Sequence, residues 1–168
     1  MPMFLILQAE GHFKAGRVDA ALQAVERALA TCEHTGERWA MAEVLRTRAR
    51  ILLSTGRAKS DEIETILLDS LEIARRQQAH CWELRTSCDL ARLWQNQGRS
   101  REALKLLQSV YDQFEEGFDA ADLREARALV RSLRQNLTRK PKHLGPTRTA
   151  RIIALGNRRL RHRAPIAV

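Results

Sequence analysis

A chain of 168 residues, 44% apolar and 29% charged, has the size and composition of one globular domain. Its formal net charge of +9 is unevenly placed. Residues 1–137 carry 20 basic and 20 acidic side chains, while residues 138–168 carry nine basic ones (Arg139, Lys140, Lys142, Arg148, Arg151, Arg158, Arg159, Arg161 and Arg163) and no acid. The apolar run at residues 3–7 lacks a basic flank and is too short for a signal peptide or a membrane span. Three cysteines (Cys32, Cys81, Cys88) at unpatterned spacing read as reduced thiols, so a cytoplasmic protein is expected.

Ala, Leu, Arg and Glu dominate, aromatic residues are few, and strand-like alternation is rare, which predicts an all-α fold. Seven helices are expected, at about 3–15, 18–33, 38–54, 61–77, 80–97, 100–115 and 119–137. The first is apolar on every side (Met3, Phe4, Leu5, Ile6, Leu7), unlike the polar outer face with which stacked helical repeats end. That edge is expected to drive homo-oligomerisation or to dock a partner; fraying, or packing inward, is the alternative. Further along, Ser60 before Asp61 and Glu62 is expected to cap the fourth helix, and Asp119 with Asp122 to form a capping box on the seventh.

The most informative feature is a self-match: Ala, six residues, Gly-Arg. It occurs as AEGHFKAGR from Ala9, ARILLSTGR from Ala49 and ARLWQNQGR from Ala91, at intervals of 40 and 42 residues. A helical segment follows each copy in corresponding phase, the sign of stacked two-helix repeats. Ala9, Ala49 and Ala91 on the first (A) helices, with Ala21 and Ala103 on the second (B) helices, are expected where paired helices cross closely; Ile63 takes that place in the middle repeat. Gly16, Gly56 and Gly98 are expected at left-handed helix ends. Val25, Leu67 and Leu107, with Leu29, Leu71 and Tyr111 four residues on, are expected to form the buried stripe of the B helices, and Leu52 and Trp94 that of two A helices, with His12 at the matching place in the first.

These repeats resemble a known family. The segments TGERWAMAEVLRTRARILL, LEIARRQQAHCWELRTSCDLARLWQNQGRSREALKLL and VYDQFEEGFDAADLREARALV are similar to the C-terminal tetratricopeptide (TPR) region of large bacterial regulators. Those proteins carry a class III adenylate/guanylate cyclase or DNA-binding domain, then a STAND-type ATPase module, then the repeats. The resemblance covers roughly residues 3–137. It implies a right-handed α–α superhelix of three TPR-like helix pairs plus a C-terminal capping helix, and a protein-binding scaffold. The alternative it implies is a detached regulatory region of such a cyclase or ATPase. Catalysis does not carry over, since the chain has no GxxxxGK[ST] phosphate loop and no room for the cyclase domain. No catalytic residue and no cofactor is expected.

A superhelix of this kind presents its A helices on the concave face. Lys14, Arg46, Arg50, Arg85, Arg92 and Asn96 are therefore expected to bind a peptide there, with Ile6, Glu10, Phe13, Leu53, Cys88 and Gln95 beside them. Arginine bonds carboxylates bidentately, which points to a protein or acidic peptide. The competing expectation pairs these arginines with in-chain acids such as Glu43 and Glu83, or leaves them in solvent. Cys32 with His34, and His80 with Cys81, match no zinc signature. Trp39, Trp82 and Trp94 are expected to pack the repeats. The basic segment 138–168, broken by Pro and Gly, is expected to be disordered. Counterion release would let it bind nucleic acid or an anionic surface, without an aromatic residue to stack on bases.

Overall fold

In the computed structural model, which describes residues 1–36 and 38–138, seven α-helices follow one another: α1 (Pro2–Lys14), α2 (Val18–Thr35), α3 (Met41–Thr55), α4 (Ser60–Arg76), α5 (His80–Asn96), α6 (Ser100–Tyr111) and α7 (Ala121–Thr138). A 3-10 turn at Arg38–Ala40 leads into α3, and no strand occurs among the described residues. The fold is all-α. Beyond Thr138 the basic segment, and every expectation about it, lies outside the described residues.

The repeated Gly-Arg pair is a helix terminator. At the ends of α1, α3 and α5 the glycines have φ of 73°, 64° and 80°, where a side chain would be strained. The next residue's N–H turns back to the carbonyl five residues earlier: Arg17 to His12, Arg57 to Leu52 and Arg99 to Trp94, at 2.9, 3.1 and 2.8 Å. This is the Schellman closure, which satisfies carbonyls the helix end leaves free. The end of α4 makes the same closure, Ala79 to Ala74, but with Gln78 at φ 53° in the glycine's place.

Each helix packs on its successor from α1 through α6, and α3 also touches both α1 and α5. The small residues sit at these crossings: Ala9, Ala21, Ala49, Ala91 and Ala103 are fully buried, as is Ile63. Val25, Leu67, Leu71 and Leu107 are buried in α2, α4 and α6, as their spacing predicts, whereas Leu29 and Tyr111 are only partly buried. Leu52 and Trp94 are only partly buried. Three apolar clusters result, one around α1–α3, one around α3–α5, and one in which Leu123, Ala126, Val130 and Leu133 of α7 close over α5 and α6.

Two helix caps differ from expectation. Ser60 begins α4 rather than capping it; the Glu62 carboxylate instead accepts the Lys59 N–H at 3.2 Å. Helix α7 starts at Ala121, two residues after Asp119, and Asp122 turns to Arg85 instead of capping. Helix α6 stops at Tyr111, and the aromatic residues Tyr111 and Phe118 then meet across the loop, 6.0 Å between ring centres.

Candidate protein-interaction cleft

A cleft of about 290 Å³ is lined from four helices: Glu10 of α1, Arg46 and Arg50 of α3, Arg85, Cys88, Asp89 and Arg92 of α5, and Asp122 and Glu125 of α7. Residues 46 and 50, and 85, 88, 89 and 92, recur at the three- and four-residue spacing that aligns side chains along one helix face. The four expected arginines thus meet in one place. Of the other expected positions, Lys14 lies in an adjoining hollow of about 230 Å³ with Glu10, Phe13, Thr47, Arg50 and Ile51. Asn96 is exposed near the end of α5 and lines neither, and Ile6 points into the core.

The arginines are paired inside the chain. Arg46, only 6% exposed, donates from Nε and Nη2 to both Glu43 oxygens at 2.8 and 2.6 Å, and from Nη1 to Asp89 at 2.9 Å. Burial works against its charge, yet the bonds to Glu43 and Asp89 raise its pKa above the ordinary arginine value. Arg85 donates to Asp122 at 2.7 Å and lies 3.6 Å from Glu43. Arg92 bonds Glu125, and lies 3.3 Å from Asp89. Arg50 has the loosest contact, 3.8 Å from Glu10, with its side chain 46% exposed. Four arginines therefore face five carboxylates (Glu10, Glu43, Asp89, Asp122 and Glu125) in a ladder of alternating sign. Glu83, the other expected in-chain acid, pairs with Arg75 at 2.8 Å instead.

Sequence spacing did not reveal these pairs. Arg46–Asp89, Arg85–Asp122 and Arg92–Glu125 join residues 43, 37 and 33 apart, so each depends on how helices α3, α5 and α7 align side by side. Asp122 was expected in a capping box, and Glu125 carried no expectation. A weak signal existed: Asp122 and Glu125 are three apart and share a helix face.

Cys88 sits in the cleft wall, and burial pushes its thiol up to about 12. Thr47 is buried under the adjoining hollow, and its hydroxyl has no hydrogen-bond partner. Among the described residues, no three His, Cys, Asp or Glu side chains come together to hold a metal ion, and no helix is long and apolar enough to cross a membrane.

Outside the cleft, the arginines of the second and third Gly-Arg pairs each link one sequence repeat to the one before. Arg99 stacks on Trp94, 4.7 Å from the ring centre, and donates to both oxygens of Glu64 on α4 at 2.8 and 2.9 Å. Trp94 Nε1 donates to the same carboxylate at 2.7 Å. Partial burial would raise the Glu64 pKa, but the bonds from Arg99 and Trp94 outweigh it and hold the carboxyl below its usual range. Arg57 likewise donates to Asp19 on α2 at 2.5 Å. Arg17, in the first repeat, has His12 at 3.1 Å. The indole of Trp39 stacks on that of Trp82, 6.0 Å between ring centres, which ties the turn before α3 to α5.

No protein-family model matches the chain, and no curated protein matches it in sequence.

Proposed function

We propose that this chain is a TPR-like scaffold without catalytic activity, whose three helix pairs and closing helix hold a protein segment in the cleft of α1, α3, α5 and α7. The supporting observation is the cleft itself, a polar channel to which four successive odd-numbered helices contribute charged side chains. Its walls are rigid at the bottom, where Arg46 is buried and triply bonded, and exchangeable at the rim, where Arg50 and Arg92 are half-exposed. Rim ion pairs are weak enough for a ligand carboxylate to replace the in-chain acid. A segment carrying acidic groups near Arg50 and Arg92, and basic groups near Glu10 and Glu125, fits this pattern.

The resemblance to the TPR region of cyclase- and ATPase-linked regulators makes a regulatory role toward such a system a specific form of the same proposal. The direct test is fluorescence anisotropy of a labelled Asp/Glu-rich peptide titrated with the full chain and with Arg50→Ala/Arg92→Ala. The expected result is a tenfold or greater loss of affinity in the variant, about 1.4 kcal/mol. Equal binding by the two proteins would remove the cleft from the proposal.

A further inference from the structure

The internal repeat is a template for what covers each A helix. Stepping back from Ala9, Ala49 and Ala91 by five residues aligns Phe4 with Val44 and Thr86, and stepping forward by two aligns Gly11 with Ile51 and Leu93. On α3 and α5 these positions are buried against the preceding helix pair. Val44 and Ile51 belong to the cluster with α1 and α2, and Leu93 to the cluster with α3 and α4. Thr86 lies 3.0 Å from Ser70 of α4, and Ser70 donates onward to the Ala42 carbonyl at 2.8 Å. On α1 the same face is open. Phe4 is 69% exposed and Leu7, which takes the place of buried Thr47, is 58% exposed.

Two further residues on this edge are unexplained by the fold alone. Gly11 is in mid-helix, where glycine is less favourable than alanine, yet a Cβ there would meet nothing within 4 Å. Its lack of a side chain leaves room for another backbone to approach. Arg17 is the counterpart of Arg57 and Arg99, each of which reaches back to a carboxylate in the early turns of a B helix, Asp19 and Glu64. Arg17 instead donates to His12 Nδ1, and no carboxylate pairs with it among the described residues.

We propose that the outer face of α1 docks a helix pair of this chain's own repeat chemistry. Its second helix would set small side chains against Gly11 and Phe4, as α4 sets Ser70 against Thr86, and would offer Arg17 a carboxylate from its first turns. A second copy of the chain does not complement this edge through its last helix. The exposed face of α7 presents Arg124, Arg127 and Arg131, while its carboxylates Asp122 and Glu125 are held by Arg85 and Arg92. The proposal is independent of the cleft.

The test extends the full chain with a partner of known chemistry by splicing a duplicate of residues 38–84 directly before Met3, which keeps the Ser70-to-Phe4 spacing equal to that of Ser70 to Thr86. The extended chain is expected to melt in one transition, at least ~4 °C above the parent. Phe4→Asp should lower the melting temperature of the extended chain by several degrees and leave the parent nearly unchanged. Glu64→Gln, made in the duplicate alone, should remove part of the gain. Melting at the parent temperature, or in two separate transitions, would overturn the proposal, as would Phe4→Asp acting equally on both chains. A parent that sediments as a dimer, and becomes monomeric with Phe4→Asp, would also overturn it by assigning the edge to a second copy.

Discussion

Arg46 offers the sharpest measurement of what holds the helices in register. Replacing it with alanine removes the three hydrogen bonds to Glu43 and Asp89 and leaves both carboxylates in place, Glu43 at 5% exposure. Removing one partner of a buried ion pair costs about 3–5 kcal/mol, because the other charge stays desolvated. Here the lower end applies, since Glu43 retains Arg85 at 3.6 Å and Asp89 retains Arg92 at 3.3 Å. Arg46→Ala is therefore expected to lose about 3 kcal/mol in urea unfolding, with a fall in melting temperature of roughly 10 °C. Replacing the cluster together (Arg46→Met, Glu43→Gln, Asp89→Asn) should restore most of that loss, because no charge is then stranded. Arg50→Ala, at the exposed rim, should stay within about 0.5 kcal/mol of the parent. A loss below about 1 kcal/mol for Arg46→Ala, or a triple variant no better than the single one, would refute the account of a buried network.

Gln78 adopts φ 53° where the other three closures use glycine, so Gln78→Gly is expected to stabilise the chain by up to ~1 kcal/mol, whereas Gly56→Ala or Gly98→Ala should destabilise it by a similar amount; chemical denaturation reads both signs. Of the three thiols, Cys81 is exposed while Cys32 and Cys88 are buried, with Cys88 pushed up to about 12, so Ellman's reagent should titrate one fast thiol in the folded chain and three after unfolding. Glu64 and Glu102 are held below the usual carboxylate range in the fold, and the unfolded chain therefore takes up protons first on acidification. Their stabilisation is complete at neutral pH and is lost as pH falls through that range; Glu64→Gln should flatten the acid limb of the stability curve.

The elements readable in the sequence are those governed by short-range rules. Gly16, Gly56 and Gly98 mark helix ends because a positive φ selects glycine locally, and the alanines at 9, 49 and 91 mark crossings because close approach selects a small side chain. Where a different residue performs the same task, as at Gln78, the sequence carries no signal. The cap of α7 was misread for a related reason. Asp119 and Asp122 have the spacing of a cap, but Arg85 of another helix competes for Asp122. The cleft was half legible. Four arginines at helical spacing predict a shared face, and Glu43 as an in-chain partner was legible, but the partners Asp89 of Arg46, Asp122 of Arg85 and Glu125 of Arg92 lie on other helices and depend on how α3, α5 and α7 align.

That difference alters what the cleft can recognise. Four bare arginines would attract any acidic segment through long-range charge. Four arginines facing Glu10, Glu43, Asp89, Asp122 and Glu125 have little net field, so attraction at a distance is weak and discrimination comes from local exchange of partners. A ligand carboxylate arriving at Arg92 releases Glu125, which then needs a cation of its own; a purely acidic ligand does not supply one, and a segment alternating acid and base does. Specificity for a charge pattern rather than for charge follows from pairing the groove internally. In the anisotropy titration, a peptide of alternating Glu and Lys should therefore bind at least as well as an all-acidic one, and its affinity should fall less steeply with salt. An all-acidic peptide that binds much more tightly, with a steep salt dependence, would show that the in-chain carboxylates do not screen the arginines.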